Sequence, residues 1–142
     1  MEPIALTPHE VEFLRGRHFA TIATLDEDGA PRQAVVWYRL EPDGRVLLNS
    51  RHPRRWPANL LRDRRLAIAV PDVDNGLRWL GMTGVVDEVV EDVERARDDI
   101  VALARRYSAD DTADPEDEAA FRSQPRITFL VRVTGVHDHL EG

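Results

Sequence analysis

The residues best placed to do chemistry lie between positions 51 and 65. Six arginines (Arg51, Arg54, Arg55, Arg62, Arg64 and Arg65) stand there against one acid, Asp63, in a chain whose formal net charge is −7. A small basic island in an acidic protein points to a local anion site and argues against a long polyanion track, so nucleic acid is not an expected partner. The chain contains no lysine, so any side-chain cation that grips an anion is an arginine, which binds phosphate or carboxylate as a bidentate fork. The island falls between the end of a strand and the start of a short helix, where free N–H groups and the helix dipole suit phosphate. His52 shares that loop and could reach the same anion.

Other chemistries find little support. Without cysteine there are no disulfides, thiolate metal sites, Fe–S clusters or cysteine nucleophiles, and without lysine there is no Schiff base or P-loop lysine. Ser50, Ser108 and Ser123 all lie outside any G-x-S-x-G, and G-x-G-x-x-G is missing too. His137 and His139 alternate near the end of a strand with no third ligand nearby, so no metal site is expected. No catalytic acid, base or nucleophile is assigned. Among the aromatics, Trp37 and Tyr38 should point to opposite faces, one ring into the interior and one toward a partner or solvent. Trp79 reads as a core aromatic. Trp56, on a charged loop, needs a surface to cover: a planar ligand ring or an interface between subunits.

The elements that must position these residues are legible along the chain. Thr7-Pro8-His9-Glu10 is a capping box that opens a helix ending near Gly16, with Val11, Phe13 and Leu14 on its apolar face. Strand signals follow over 18–25, 31–40 and 45–50, joined by turns at 26–29 and 41–44, which predicts an antiparallel meander. A short helix begins near Pro57, then come strands over 66–70 and 77–90, the second bent at Gly81 or Gly84. The period becomes helical over 91–107, with Val93, Ala96, Ile100, Leu103, Ala104 and Tyr107 on one face. Residues 108–125 are acidic and read as a mobile surface loop, and 126–136 as a last strand. The whole of 1–142 is expected to be one α+β domain. Its roughly six strands, mostly joined as hairpins, would close into a barrel. No apolar run is long enough to cross a membrane, and residues 1–10 lack the pattern of a signal peptide, so the expected location is cytoplasmic.

The run ATIATLDEDGAPRQAVVWYRLEPDGRVLLNS, the basic loop, NLLRDRRLAIAV and then RWLGMTGVVDEVVEDVERARDDIVALARRY together resemble the pyridoxamine-phosphate-oxidase-like superfamily. The likeness covers about residues 8–136 and is greatest to the branch of deazaflavin (coenzyme F420)-dependent reductases. It implies a six-stranded antiparallel split β-barrel of the FMN-binding type, forming a homodimer with cofactor sites along the interface. It implies that Gln33, Ala34, Val35, Val36 and Trp37 lie along the cofactor ring, and that Asn49, Ser50, Arg51, Arg54 and Arg55 hold its phosphate. It also places Asn59 at the helix asparagine, and Arg78 and Trp79 where the other subunit completes the site. Trp56 stands where the family usually carries a phosphate-gripping lysine, so either Arg51, Arg54 or Arg55 does that work or phosphate is not bound there. The implied activity is F420-dependent reduction of a small unsaturated or conjugated molecule. An FMN-dependent oxidoreductase and a non-catalytic carrier of a cofactor or tetrapyrrole are the alternatives. Substrate contacts would come from loops 72–76 and 108–125.

Overall fold

The computed structural model describes residues 4–141; residues 1–3, on which part of the leader reading rests, and Gly142 lie outside them. Helix α1 (Pro8–Leu14) starts where its capping box says it should: the Thr7 hydroxyl accepts from the Glu10 N–H, and the Glu10 carboxylate accepts from the Thr7 N–H. The strands are β1 (Ala20–Leu25), β2 (Pro31–Val36), β3 (Arg39–Leu40), β4 (Val46–Arg51), β5 (Arg65–Pro71), β6 (Trp79–Val90) and β7 (Arg126–His139). Helix α2 (Arg55–Arg62) precedes β5, and helices α3 (Val93–Arg106) and α4 (Pro115–Arg122) connect β6 to β7. No helix among the described residues is long and apolar enough to cross a membrane.

All the pairings are antiparallel, in one seven-stranded sheet of order β2-β1-β5-β6-β7-β4-β3. The single strand predicted over 31–40 is two. Its halves lie on opposite edges of the sheet, yet only Trp37 and Tyr38 separate them. Three Cα steps span at most about 11 Å. The sheet must therefore curl until its edges nearly meet, and the seam is a covalent crossing instead of a ladder. This corrects the six-strand count and the three-strand meander, while both predicted hairpins, β1–β2 and β3–β4, form as read. Their turns contain Gly29 and Gly44, each at positive φ. The bend in β6 falls at register shifts between Thr83 and Gly84 and between Val86 and Glu88, so it lies by Gly84, not Gly81.

The barrel interior is filled by side chains such as Ile22, Tyr38, Leu48, Ile68, Leu80 and Phe129. A second, smaller core lies outside the barrel, where Ile100 and Leu103 of α3 cover Leu47 and Leu130, with Trp37 and Phe121 packed against them. The segment 108–125 is not wholly a loop. It contains α4, whose N-cap Asp114 accepts from the Glu116 and Asp117 N–H groups and whose first residue is Pro115. No residue of α4 is buried, which explains why no apolar period announced it.

The crossing is clamped from α3. The Arg106 guanidinium donates to the carbonyls of Leu14, Arg15, Gly16 and Tyr38 at 2.8–3.2 Å, closing the C-terminal end of α1 against the crossing. The Tyr107 hydroxyl donates to the His18 carbonyl at 2.5 Å and accepts from the Tyr38 N–H at 3.3 Å. The Tyr38 hydroxyl, fully buried, donates to the Leu14 carbonyl at 2.8 Å. Arg106→Ala leaves several of these carbonyls without a donor and is expected to cost about 2–4 kcal/mol in urea unfolding. Arg105→Ala removes only an exposed contact with Glu118 and is expected to stay within about 0.5 kcal/mol.

Candidate functional site

A cleft of about 310 Å³ opens between the β2 end of the barrel, the loop before α2, and the α3–α4 cover. One wall comes from Val35, Val36 and Trp37 at the end of β2, with Phe19 just before β1. Trp37 lies parallel to Tyr107 at 5.3 Å between ring centres, and Phe19 also stacks on Tyr107, at 5.6 Å. Phe19 and Val35 are 46% and 72% exposed, which leaves an apolar platform facing outward at the cleft mouth. Ile100, Leu103 and Phe121 line the cleft as well, with Trp37 packed against the first two.

The cleft is also cationic, lined by Arg54 and Arg126. Arg126 opens β7 and is buried, directly across the ladder from Arg51, the last residue of β4. Its Nη1 donates to the Asn49 Oδ1 at 3.2 Å, its guanidinium lies over the Phe121 ring at 5.0 Å, and its Nε has no hydrogen-bond partner among the described residues. Arg51, Arg54 and Arg126, like Arg15, Arg62, Arg64, Arg106 and Arg132, form no ion pair among the described residues, and these three lie together at the cleft. Burial, Arg54 and Arg51, in that order, push the Arg126 guanidinium down to about 10. Three cations with no counter-charge among the described residues, one of them buried, leave a positively charged patch beside an apolar platform.

The structure brings together Val35, Val36, Trp37, Asn49, Arg54 and Trp56 of the residues expected at the site, with Arg51 alongside. Trp56 is not on the surface: it is 7% exposed and packs its ring 5.8 Å from Phe129, forming part of the cleft floor. Ser50 has the opposite parity to Asn49 on β4, so it faces the barrel interior, where its hydroxyl has no partner. Arg55 and Asn59 lie on another side of α2, in a separate cleft of about 570 Å³. There the Asn59 Nδ2 donates to Thr24 at 3.1 Å and to Asp26 at 2.9 Å, and Arg55 approaches Asp26 at 3.8 Å. Asn59 thus ties α2 to the first hairpin. Gln33 and Trp79 line a shallow hollow on the outer face of the sheet, where Trp79 stacks on His139 at 4.3 Å. Arg78 sits at the end of the barrel near α1, bound to Asp72 and the Leu140 carbonyl at 2.9 Å. Loop 72–76 does not reach the cleft; from the segment 108–125, Phe121 does.

Phe19, Ile100, Leu103, Phe121 and Arg126 are site residues that sequence reasoning did not assign. Ile100 and Leu103 carried a signal, since both lie on the apolar face of a predicted helix. Arg126 carried none, as it is remote in sequence from the basic island. No cluster of three or more His, Asp or Glu able to hold a metal ion occurs among the described residues.

Comparison with known proteins agrees with this architecture. Residues 6–139 match the family model described as pyridoxamine 5′-phosphate oxidase. No curated protein matched the chain in sequence. Among solved structures, an F420 reductase is 23% identical with a TM-score of 0.76, the alignment covering 93% of this chain and 98% of that one. A conserved hypothetical protein from Mycobacterium tuberculosis is 23% identical with a TM-score of 0.71, covering 98% and 89%. The heme storage protein HutZ from Vibrio cholerae is 20% identical with a TM-score of 0.69, covering 95% of each chain. At these identities the likeness is one of fold.

The uncompensated charge has a thermodynamic signature. A cation whose folded pKa is lowered opposes folding wherever it is protonated, so Arg126 costs stability throughout the range below about pH 10 and the cost fades as pH rises through that value. Arg126→Met keeps the packing and removes the charge. It is expected to leave stability unchanged or raise it by about 1–3 kcal/mol in thermal unfolding at pH 7 without ligand.

Proposed function

We propose that this chain, which belongs to the pyridoxamine 5′-phosphate oxidase family, binds a phosphate-bearing deazaflavin or flavin in the cleft and works as an F420-dependent reductase of a small unsaturated or conjugated molecule. The observation that carries this reading is the buried Arg126, left without a carboxylate and flanked by Arg51 and Arg54, next to an aromatic and aliphatic platform. A planar ring system with a phosphate on its side chain matches both features of such a cleft. The cleft volume, about 310 Å³, is at the low end of the range for small-molecule sites, about 300–1,000 Å³. The orphaned Nε of Arg126 is a donor that an incoming phosphate oxygen satisfies. Likeness to an F420 reductase in fold favours the deazaflavin over FMN.

In this reading Arg126, Arg54 and Arg51 hold the anion, and Asn49 fixes the guanidinium of Arg126. Val35, Val36 and Trp37 lie along the ring, while Ile100, Leu103 and Phe121 keep water from it. The deazaflavin supplies the hydride chemistry, and the protein supplies binding, orientation and electrostatics. None of the side chains lining the cleft is an Asp, Glu, His, Lys, Ser or Tyr, so the residues named here bind and orient without transferring protons.

The working unit in this reading is a homodimer. The outer face of β1, β5 and β6 carries small side chains such as Thr21, Ala23, Ala67, Ala69 and Thr83, around hollows of about 250 and 470 Å³. Such a face suits a flat, self-complementary contact related by a two-fold axis. Ala67→Arg is expected to convert a dimer to a monomer in sedimentation or light scattering; a wild-type protein that is already monomeric at micromolar concentration would overturn the dimer.

The test of the cofactor is titration of the purified protein with F420, FMN and heme, followed by fluorescence or absorbance. F420 is expected to bind with micromolar or tighter affinity, and Arg126→Gln and Arg54→Gln each to weaken it by about tenfold or more. The likeness to a heme storage protein supports a second reading, a non-catalytic tetrapyrrole carrier. Preference for heme over F420 would establish that one, and preference for FMN would keep the site and change the cofactor.

A further inference from the structure

We infer that Asp99 is a positioning residue for the anion site, acting on Arg126 through Thr128 and Asn49 without touching the ligand. The inference rests on the anion-site reading above.

The four side chains form one directed chain of hydrogen bonds. The Arg126 Nη1 donates to the Asn49 Oδ1 at 3.2 Å. The Asn49 Nδ2 donates to the Thr128 hydroxyl oxygen at 2.9 Å and to the Ala96 carbonyl at 2.8 Å. The Thr128 hydroxyl donates to the Asp99 Oδ2 at 2.7 Å. Thr128 is fully buried, and Asn49 and Arg126 are 8% and 7% exposed, so water has little access to the bonds among these three. The carboxylate at the end is held in place on its other side by Arg39, 3.8 Å away.

Direction is the point. A hydroxyl has one proton, and an amide has distinct donor and acceptor ends. An ionised carboxylate only accepts, so it takes the Thr128 proton. The Thr128 oxygen is then an acceptor for the Asn49 NH₂, and the Asn49 carbonyl must face Arg126. The Ala96 carbonyl, also acceptor-only, reinforces the same orientation. Such a chain polarises each member in turn. It anchors Arg126 by one N–H while its carboxylate stays too remote to neutralise the guanidinium. The charge remains for a ligand. A carboxylate directly against Arg126 would have made an internal ion pair and closed the site.

The test measures anion affinity in the full-length protein by calorimetry with inorganic phosphate, and by fluorescence with F420 against its phosphate-free deazaflavin core. Asp99→Asn and Thr128→Val, which preserve shape, are expected to weaken phosphate and F420 by about 5- to 20-fold and to leave the phosphate-free core within about 2-fold. Thr128→Ser keeps the hydroxyl and is expected to restore wild-type affinity. In an Arg126→Gln background, Asp99→Asn is expected to add nothing, because the residue through which it acts is gone. Equal weakening of both ligands would mark a structural role and overturn the inference. So would an Arg126→Gln defect with no defect in Asp99→Asn or Thr128→Val. If wild type binds no phosphate, or Arg126→Gln leaves phosphate affinity unchanged, the anion-site reading falls and the inference falls with it. Unfolding curves identify any variant that has lost its fold; if either Asp99→Asn or Thr128→Val fails, the other decides.

Discussion

The architecture depends on a two-residue crossing. Trp37 and Tyr38 carry the chain from one edge of the sheet to the other, and that short link forces the sheet to curl. The link is held by polar contacts that an ordinary strand would not need. Leaving the ladder frees backbone groups around the seam, and a buried free group costs what a lost hydrogen bond costs. Tyr107 meets the Tyr38 N–H, and Arg106 meets the Tyr38 carbonyl together with the carbonyls that end α1. The two residues at the C-terminal end of α3 therefore close the barrel and dock the first helix in one set of contacts.

The same helix roofs the cleft. Along α3, Ala96 and Asp99 hold Asn49 and Thr128, Ile100 and Leu103 form a wall, and Arg106 and Tyr107 clamp the crossing from which Trp37 projects. Closure and site geometry are thus coupled through one rigid element. That coupling allows a buried guanidinium to be kept unpaired. Uncompensated charge is expensive in a protein of this size, where the whole margin of stability is small. It persists where the scaffold holds the surrounding atoms so firmly that the charge cannot relax into a neighbour.

Much of the fold is legible in the sequence because its signals are local. The capping box at Thr7 and Glu10, the two glycine turns and the long apolar face of α3 each depend on a few adjacent residues. The crossing was not legible. Residues 31–40 are continuous in strand-forming types, and the change of partner at Trp37 is decided by Leu14, Arg106 and Tyr107, remote in sequence. Helix α4 was missed for a different reason. Its cap, Asp114 followed by Pro115, is a clear start signal, but a helix with no buried residue has no periodicity to confirm it. The two halves of the cleft divide in the same way: the β2 wall and Arg54 come from contiguous motifs, whereas Arg126 joins them only through register pairing of β7 with β4.

The basic island shows why charge in a sequence is not charge at a site. Its arginines scatter once α2 forms. Arg55 turns to Asp26, Arg62 donates to the Leu25 carbonyl and to Asn59, and Arg65 is bound by Asp63 two residues before it. Those contacts build the junction of α2 with the first hairpin and the entry to β5. Arg64 stands exposed beyond α2 and does not line the cleft, so what remains there for an anion is the pair before the helix, Arg51 and Arg54, joined by the buried Arg126 between β4 and α4. Two exposed guanidiniums in water attract an anion weakly, because solvent screens them. A third in a nearly dry wall, already bound on one side and unpaired on the other, acts in a lower dielectric and is fixed in direction. The firmest hold this geometry offers an anion lies in the residue that the island does not contain.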